Sequence, residues 1–290
     1  MPERLRARAP AKVNLALDVL GRRPDGYHDL DTIFLELDLA DDVELLPGAE
    51  PGIEVAGPYA AGTPADASNL AWRAIELAAA AAGAAAAHRV VLRKMIPPAG
   101  GLAGGSSDAA AVLRMAAVLW PGIAPHLPSL ALELGSDVPF FLVGGLARGR
   151  GRGEMLEPLP AAFTVDVLLF PPPAGDPSPP RKTAAVFAAY AALPQAPRVV
   201  PRVLDLLAAG RLTSLDLLGA NALEAAALRV FPGLAAHRAR VEAAIGQPVV
   251  LTGAGPTWFW AGPPGEGAPL AERARSAGLD VILTRAAQTP

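Results

Sequence analysis

The chain has 290 residues, 52% of them apolar, and 25 basic against 28 acidic side chains give it a formal net charge of −3. That length fits one large or two ordinary domains, and the mildly acidic balance carries no electrostatic footprint for nucleic acid. With no cysteine there is no disulfide, thiol nucleophile or thiolate metal site, and His28, His88, His126 and His237 are too scattered to suggest a metal centre.

In chain order, Val13, Leu15, Leu17 and Val19 alternate with Lys12, Asn14, Ala16 and Asp18. The period of two predicts a strand over 11–20 with one buried face, and puts Lys12 and Asn14 on the other. Residues 21–26 read as a turn, followed by Tyr27 and His28, a strand over 32–39 and its continuation over 41–46. A helix is expected over 69–82, with Ser68 or Asn69 as its cap. A strand over 89–95, a glycine-rich loop, a helix over 107–119 and a short helix over 129–134 follow. Gly135-Ser136-Asp137-Val138-Pro139 interrupts that helix, and Phe140–Val143 reads as strand.

Five glycines and three arginines over 144–153 suggest a hairpin. A change of character at 156–160 places a domain boundary there, giving expected domains 1–158 and 159–290. Beyond it, a strand over 163–170 precedes an exposed run holding six prolines over 171–180. Helices are expected over 183–192, 199–209, 222–230, 234–245 and 270–277, and strands over 248–252, 257–260 and 280–284. The fold class is therefore α+β in both halves. Arg4, Arg6 and Arg8 precede no apolar core of signal-peptide type, and the alanine stretch 78–87 is too short and too weakly apolar for a bilayer span. A soluble cytoplasmic protein is expected, without membrane or nucleic-acid partners, as a monomer or homodimer.

The most informative segment is Ile96-Pro97-Pro98-Ala99-Gly100-Gly101-Leu102-Ala103-Gly104-Gly105-Ser106-Ser107-Asp108. Glycines permit close approach of backbone to a ligand, and free N–H groups at a helix start attract anions. A phosphate site fits this pattern; so does a loop that merely turns a corner. The segment is neither a P-loop of the common NTPases, which needs a lysine before its Ser/Thr, nor a dinucleotide fingerprint. Asp108 reads as a dipole-favouring or capping residue of the first helical turn rather than a metal ligand. Of the basic residues, 22 are Arg and only Lys12, Lys94 and Lys182 are Lys. Because an ammonium and a guanidinium differ chemically, the few lysines stand out in such a chain. From local sequence, Asp137 serves equally well as a general base or as a turn aspartate, and Tyr27-His28 as a ligand-binding pair or as packing.

Three ordered stretches then combine: Pro10-Ala11-Lys12-Val13-Asn14-Leu15 with Asp25-Gly26-Tyr27-His28, the loop 100–111, and Leu251-Thr252-Gly253-Ala254-Gly255-Pro256-Thr257. Together they resemble the motifs of the GHMP kinases over almost the whole chain. Asp25-Gly26-Tyr27-His28 and Gly135-Ser136-Asp137-Val138-Pro139, with Asn221-Ala222-Leu223-Glu224, point to the branch that acts on a cytidine diphosphate-linked methylerythritol. Ala103 departs from the family's usual glycine, and Thr252-Gly253-Ala254-Gly255 from its usual Ser-Gly-Ser-Gly.

The resemblance implies a two-domain GHMP kinase fold, ribosomal-protein-S5-like then ferredoxin-like. It also implies ATP-dependent phosphorylation, with Mg²⁺, of the 2-hydroxyl of that substrate in the non-mevalonate route to isoprenoid precursors. The alternatives are another small alcohol, homoserine or mevalonate, or a non-catalytic ATP-binding relative. Asp137 is the implied base and Lys12 its positive neighbour. Asn69, Lys94, Pro98, Gly100, Gly101, Leu102, Ala103, Gly104, Gly105, Ser106 and Ser107 are the implied nucleotide residues. Asn14, Tyr27, His28, Phe34, Thr183, Gly253 and Gly255 are the implied substrate residues.

Overall fold

A computed structural model describes residues 4–48, 50–160, 164–173, 175, 179, 181–210 and 212–287. The expected proline-rich run lies partly outside these residues, as does Phe163 at the start of the strand expected over 163–170. The chain forms two compact units that interleave along the sequence: residues 1–12, 39–98 and 103–144 in the first, and 13–38, 99–102 and 145–290 in the second. Both are mixtures of helix and sheet, as the α+β pattern predicts.

Two long strands, β1 (Leu5–Arg22) and β2 (His28–Pro47), pair with each other and contribute to both units. In the first unit, β2 runs antiparallel to β4 (His88–Arg93), with Asp42 opposite Arg93 and Pro47 opposite His88; β4 is parallel to β3 (Gly52–Ala56). Helices α1 (Leu70–Ala81) and α2 (Gly104–Leu119) pack together through small residues. Ala71, Ala74, Ala78 and Ala79 are buried on α1, and Ala109, Ala110, Ala111 and Ala116 on α2. The alanine richness that looks unspecific in the sequence thus supplies two faces thin enough for close helix contact. Asn69 caps α1, its Oδ1 accepting the Ala71 N–H at 2.9 Å.

Helix α3 (Leu127–Leu134) follows, then α4 (Phe140–Val143). The strand expected over 140–143 is therefore a single helical turn. Pro139 has helical φ and ψ, and the carbonyls of Val138 and Pro139 accept the N–H groups of Phe141 and Leu142. A four-residue apolar run has no periodicity to separate the two states.

In the second unit, β2 pairs antiparallel with β5 (Leu146–Gly151), and β5 with β6 (Met155–Pro158), forming the expected glycine- and arginine-rich hairpin. A separate antiparallel sheet has the order β10 (Ile282–Arg285), β7 (Asp166–Phe170), β9 (Trp258–Gly262), β8 (Val250–Leu251). Its layer of helices comprises α5 (Lys182–Tyr190), α6 (Val200–Ala208), α7 (Glu224–Val230), α8 (Leu234–Ile245) and α9 (Gly267–Ser276). Phe170, Trp258, Leu251, Val241, Ile245 and Ala271 form a continuous core between sheet and helices. Every residue of β7 and β9 is buried, which explains why both read as uninterrupted apolar runs. No helix among the described residues is long and apolar enough to cross a membrane.

Candidate active site

In the first unit, Lys12 on β1 is only 4% exposed, and its Nζ stands 3.9 Å from Oδ2 of Asp137. Asp137 lies in the turn between α3 and α4, which closes with a Val138 N–H to Gly135 carbonyl bond of 3.2 Å. Burial pushes the Lys12 ammonium below its ordinary pKa, while Asp137 pulls it back upward. A half-exposed carboxylate beside a buried cation suits proton acceptance from a ligand, followed by stabilisation of the charge that develops.

The glycine-rich segment ends where α2 begins. Ala103 occupies the N-cap position with left-handed φ 57° and ψ 31°. Ser107 N–H is bonded to the Ala103 carbonyl at 3.0 Å. The preceding N–H groups of Gly104, Gly105 and Ser106 lie too early in the helix for an i−4 carbonyl. Gly105 is exposed, Ser106 half-buried, and Ser107 Oγ is buried without a hydrogen-bond partner. Such a start offers backbone donors and partial positive charge to phosphate oxygens.

Three residues of the same unit are engaged inside the fold. Lys94 is 3% exposed and donates to both Asp41 and Asp108, so its charge is spent inside the fold instead of being offered to phosphate. Asp108 is correspondingly no first-turn cap: it is buried one turn into α2 against Lys94. Asn69 is likewise committed to structure. Beyond capping α1, its Nδ2 donates to the Pro64 carbonyl at 2.7 Å.

In the second unit, the strand, loop and third motif are joined by hydrogen bonds. Asn14 donates its backbone N–H to Thr252 Oγ1 at 3.0 Å and its Nδ2 to Thr32 Oγ1 at 2.8 Å. Gly101 has φ 85°, and a Cβ there would stand 2.8 Å from the Thr252 carbonyl, so only glycine fits. The Gly100 carbonyl accepts Thr257 N–H at 3.3 Å, and Leu102 is buried while Pro98, in the first unit, is exposed. Lys182 donates to the carbonyls of Ala99 and Gly255, the latter at 2.7 Å. Asn221 holds the third motif from below, its Nδ2 donating to the carbonyls of Leu251 and Gly253, each at 2.8 Å. Gly253 and Gly255 both have left-handed φ, and the Gly255–Pro256 peptide is cis.

Tyr27 is 51% exposed, and the Arg152 guanidinium lies 4.1 Å from its ring centroid. His28 stacks on Phe187 of α5, with centroids 4.6 Å apart and planes 16° from parallel. Burial lowers the His28 pKa and Arg22 lowers it further, so the ring is neutral at physiological pH and keeps both donor and acceptor capacity. Phe34 is 3% exposed and lies close under Gly149 and Gly153, a core position. Thr183 is exposed in the first turn of α5.

The sequence matches what this geometry suggests. Residues 69–145 fit the model of the GHMP kinases N-terminal domain. Over 98% of its length the chain is 39% identical to 4-diphosphocytidyl-2-C-methyl-D-erythritol kinase of Streptomyces avermitilis, covering 96% of that protein. The chain belongs to the 4-diphosphocytidyl-2-C-methyl-D-erythritol kinase family. A crystal structure of a 4-(cytidine 5'-diphospho)-2C-methyl-D-erythritol kinase superposes with a TM-score of 0.76 at 37% identity, covering 98% of this chain and all of that one. The mevalonate kinase of Methanococcus jannaschii gives 0.68 at 11% identity, over 99% of each chain, and so shares the GHMP fold.

Sequence reasoning about this kinase missed Asp41, Phe187, Arg152 and the part played by Lys182. Of these, only Lys182 carried a signal, as one of three lysines among 25 basic residues. Asp41 sits in an alternating strand, and Phe187 and Arg152 lie over a hundred residues from their partners.

Proposed function

We propose that the chain transfers the γ-phosphoryl group of ATP to the 2-hydroxyl of 4-diphosphocytidyl-2-C-methyl-D-erythritol. The observation that carries the mechanism is the buried Lys12 ammonium 3.9 Å from the half-exposed Asp137 carboxylate. Asp137 accepts or orients the proton of the acceptor hydroxyl. Lys12 offsets negative charge growing on the attacking oxygen. Phosphoryl transfer depends on positioning and charge neutralisation more than on covalent chemistry, and these two groups supply the latter.

The N–H groups of Gly104, Gly105 and Ser106 and the hydroxyls of Ser106 and Ser107 hold the donor phosphates. The partnerless Ser107 Oγ supports this, since a buried hydroxyl is costly until a ligand oxygen reaches it. Mg²⁺ neutralises phosphate charge when bound. In this proposal the ion is held mainly by phosphate oxygens and water. Tyr27 offers an exposed ring face and His28 a neutral donor–acceptor edge to the cytosine, with Phe187 backing the imidazole. Asn14, Thr183, Gly253 and Gly255 complete the substrate residues.

The test is ADP release with ATP, Mg²⁺ and the cytidyl compound, run beside homoserine and mevalonate. Turnover with the cytidyl compound alone is expected. Turnover with another alcohol overturns the roles given to Tyr27 and His28; no turnover with any of them leaves a non-catalytic relative.

A further inference from the structure

Asp41 on β2 has no exposed surface. Its Oδ1 accepts the backbone N–H groups of Met95 and Ile96, the latter at 2.9 Å, and its Oδ2 accepts Lys94 Nζ. The same Oδ2 lies against Gly104, where a Cβ would stand 3.4 Å from it and 3.1 Å from Ile96 Cγ2. One carboxylate thus holds residues 95 and 96, where the glycine-rich segment starts, and bounds residue 104, where α2 starts. Between those points Ala99 and Ala103 have left-handed φ values of 55° and 57°. Each costs a residue bearing a Cβ about 1 kcal/mol or more, and such strain persists only where the surroundings dictate the backbone.

The charges around Asp41 form a closed group. Lys94 is shared between Asp41 and Asp108, and among the described residues these are the charged groups that act on Asp108. Burial pulls the Lys94 pKa down, but Asp108 and Asp41 together hold it above its ordinary value. Burial and the neighbouring Asp41 carboxylate push Asp108 up to about 7, against the pull of Lys94. Asp108 Oδ1 is buried without a partner. Two acids and one base make a neutral group only when one acid keeps its proton, and a neutral group is the cheaper one to bury.

Resting on the reading of this segment as the donor-phosphate loop, we infer that Asp41 is a positioning residue for that loop, with Lys94 and Asp108 as its charge partners. Lys94 then serves nucleotide binding through Asp41 and not by touching phosphate. The arrangement also links the loop to pH. Above neutrality the group acquires a net negative charge beneath a segment that must receive a polyanion, so ATP affinity falls as pH rises through 7.

Calorimetric titrations with MgATP and with CMP, as a probe of the cytidyl residues, test this on the wild type, Asp41→Asn and Asp108→Asn. In Asp41→Asn an amide NH₂ opposes the Lys94 ammonium. ATP binding is expected to weaken at least tenfold, with CMP binding unchanged within about twofold. Asp108→Asn, which mimics the protonated acid, is expected to bind ATP as the wild type does at pH 6 and to lose the wild type's decline up to pH 8. An Asp41→Asn variant that binds ATP normally, or that loses ATP and CMP equally, overturns the positioning role. If that variant fails to fold, the pH series decides: an Asp108→Asn protein that keeps the wild-type pH dependence, or a wild type with none, overturns it. A wild type that binds CMP but no ATP removes the kinase reading itself, and the loop's role with it.

Discussion

Lys12 and Asp137 are unequal partners: 3.9 Å apart, they have side chains 5% and 37% exposed. The cation is fixed inside the first unit while the carboxylate faces outward, the orientation needed for a base that must meet a ligand from solvent. Asp137→Asn keeps the shape and removes the basicity. Turnover is expected to fall at least ~10²-fold with ATP affinity preserved. Steady-state kinetics with a separate ATP titration checks this, and unchanged kcat removes Asp137 from the base role.

Lys12→Arg tests the other partner. A guanidinium is larger and planar, and Lys12 is almost fully buried with its Nζ 3.9 Å from Asp137. The expected result is loss of most activity despite the retained charge. A variant with wild-type kcat would show that any cation at this position suffices.

At the side chains proposed to hold the cytosine the effect should fall on binding. Tyr27→Ala and Phe187→Ala, the second removing the ring stacked on His28, are expected to raise KM for the cytidyl substrate more than they lower kcat. A pure kcat defect in either would assign these rings to another step.

Asp108 links stability to pH. Its native pKa of about 7 lies above the ordinary carboxylate value of 3.8, so between those values the folded chain keeps a proton that the unfolded chain has lost. The contribution of Asp108 to wild-type stability therefore declines as pH rises from about 4 to 7 and levels off beyond. Asp108→Asn lacks that decline. The Tm difference between variant and wild type should move in the variant's favour across this window, and a difference independent of pH would contradict the assignment.

The left-handed φ of Ala103 predicts a gain from glycine at that position. Ala103→Gly should stabilise the protein by about 1 kcal/mol in denaturant unfolding, because glycine has no Cβ to strain. Ala103→Val should do the reverse.

Much of the fold can be read from local pattern. The alternation over 11–20 lies within β1, Asn69 marks the start of α1, and the run Leu234–Ile245 is α8 to the residue. Motif order also marks the segments that carry Lys12, Asp137 and the start of α2. Side-chain placement is less legible. Lys94 looks like a phosphate ligand until Asp41, 53 positions earlier, is found to claim it. Phe34, the nearer aromatic, is buried, while Phe187 on α5 stacks on His28. The interleaving of the two units is likewise invisible along the chain, since composition reports segments whereas strand pairing reports partners.

Three of the bonds described above join distant parts of the chain. Asn14 meets Thr252 across 238 positions, and Lys182 joins the carbonyls of Ala99 and Gly255. During synthesis the first strand and the glycine-rich segment are complete long before residues 252–257 leave the ribosome. A nascent chain halted at residue 240 therefore lacks the partners that hold Asn14, Gly100 and Gly101. A C-terminal truncation that spares every residue around Lys12 and Asp137 still removes Thr252, Gly255 and Thr257, the partners of Asn14, Lys182 and Gly100.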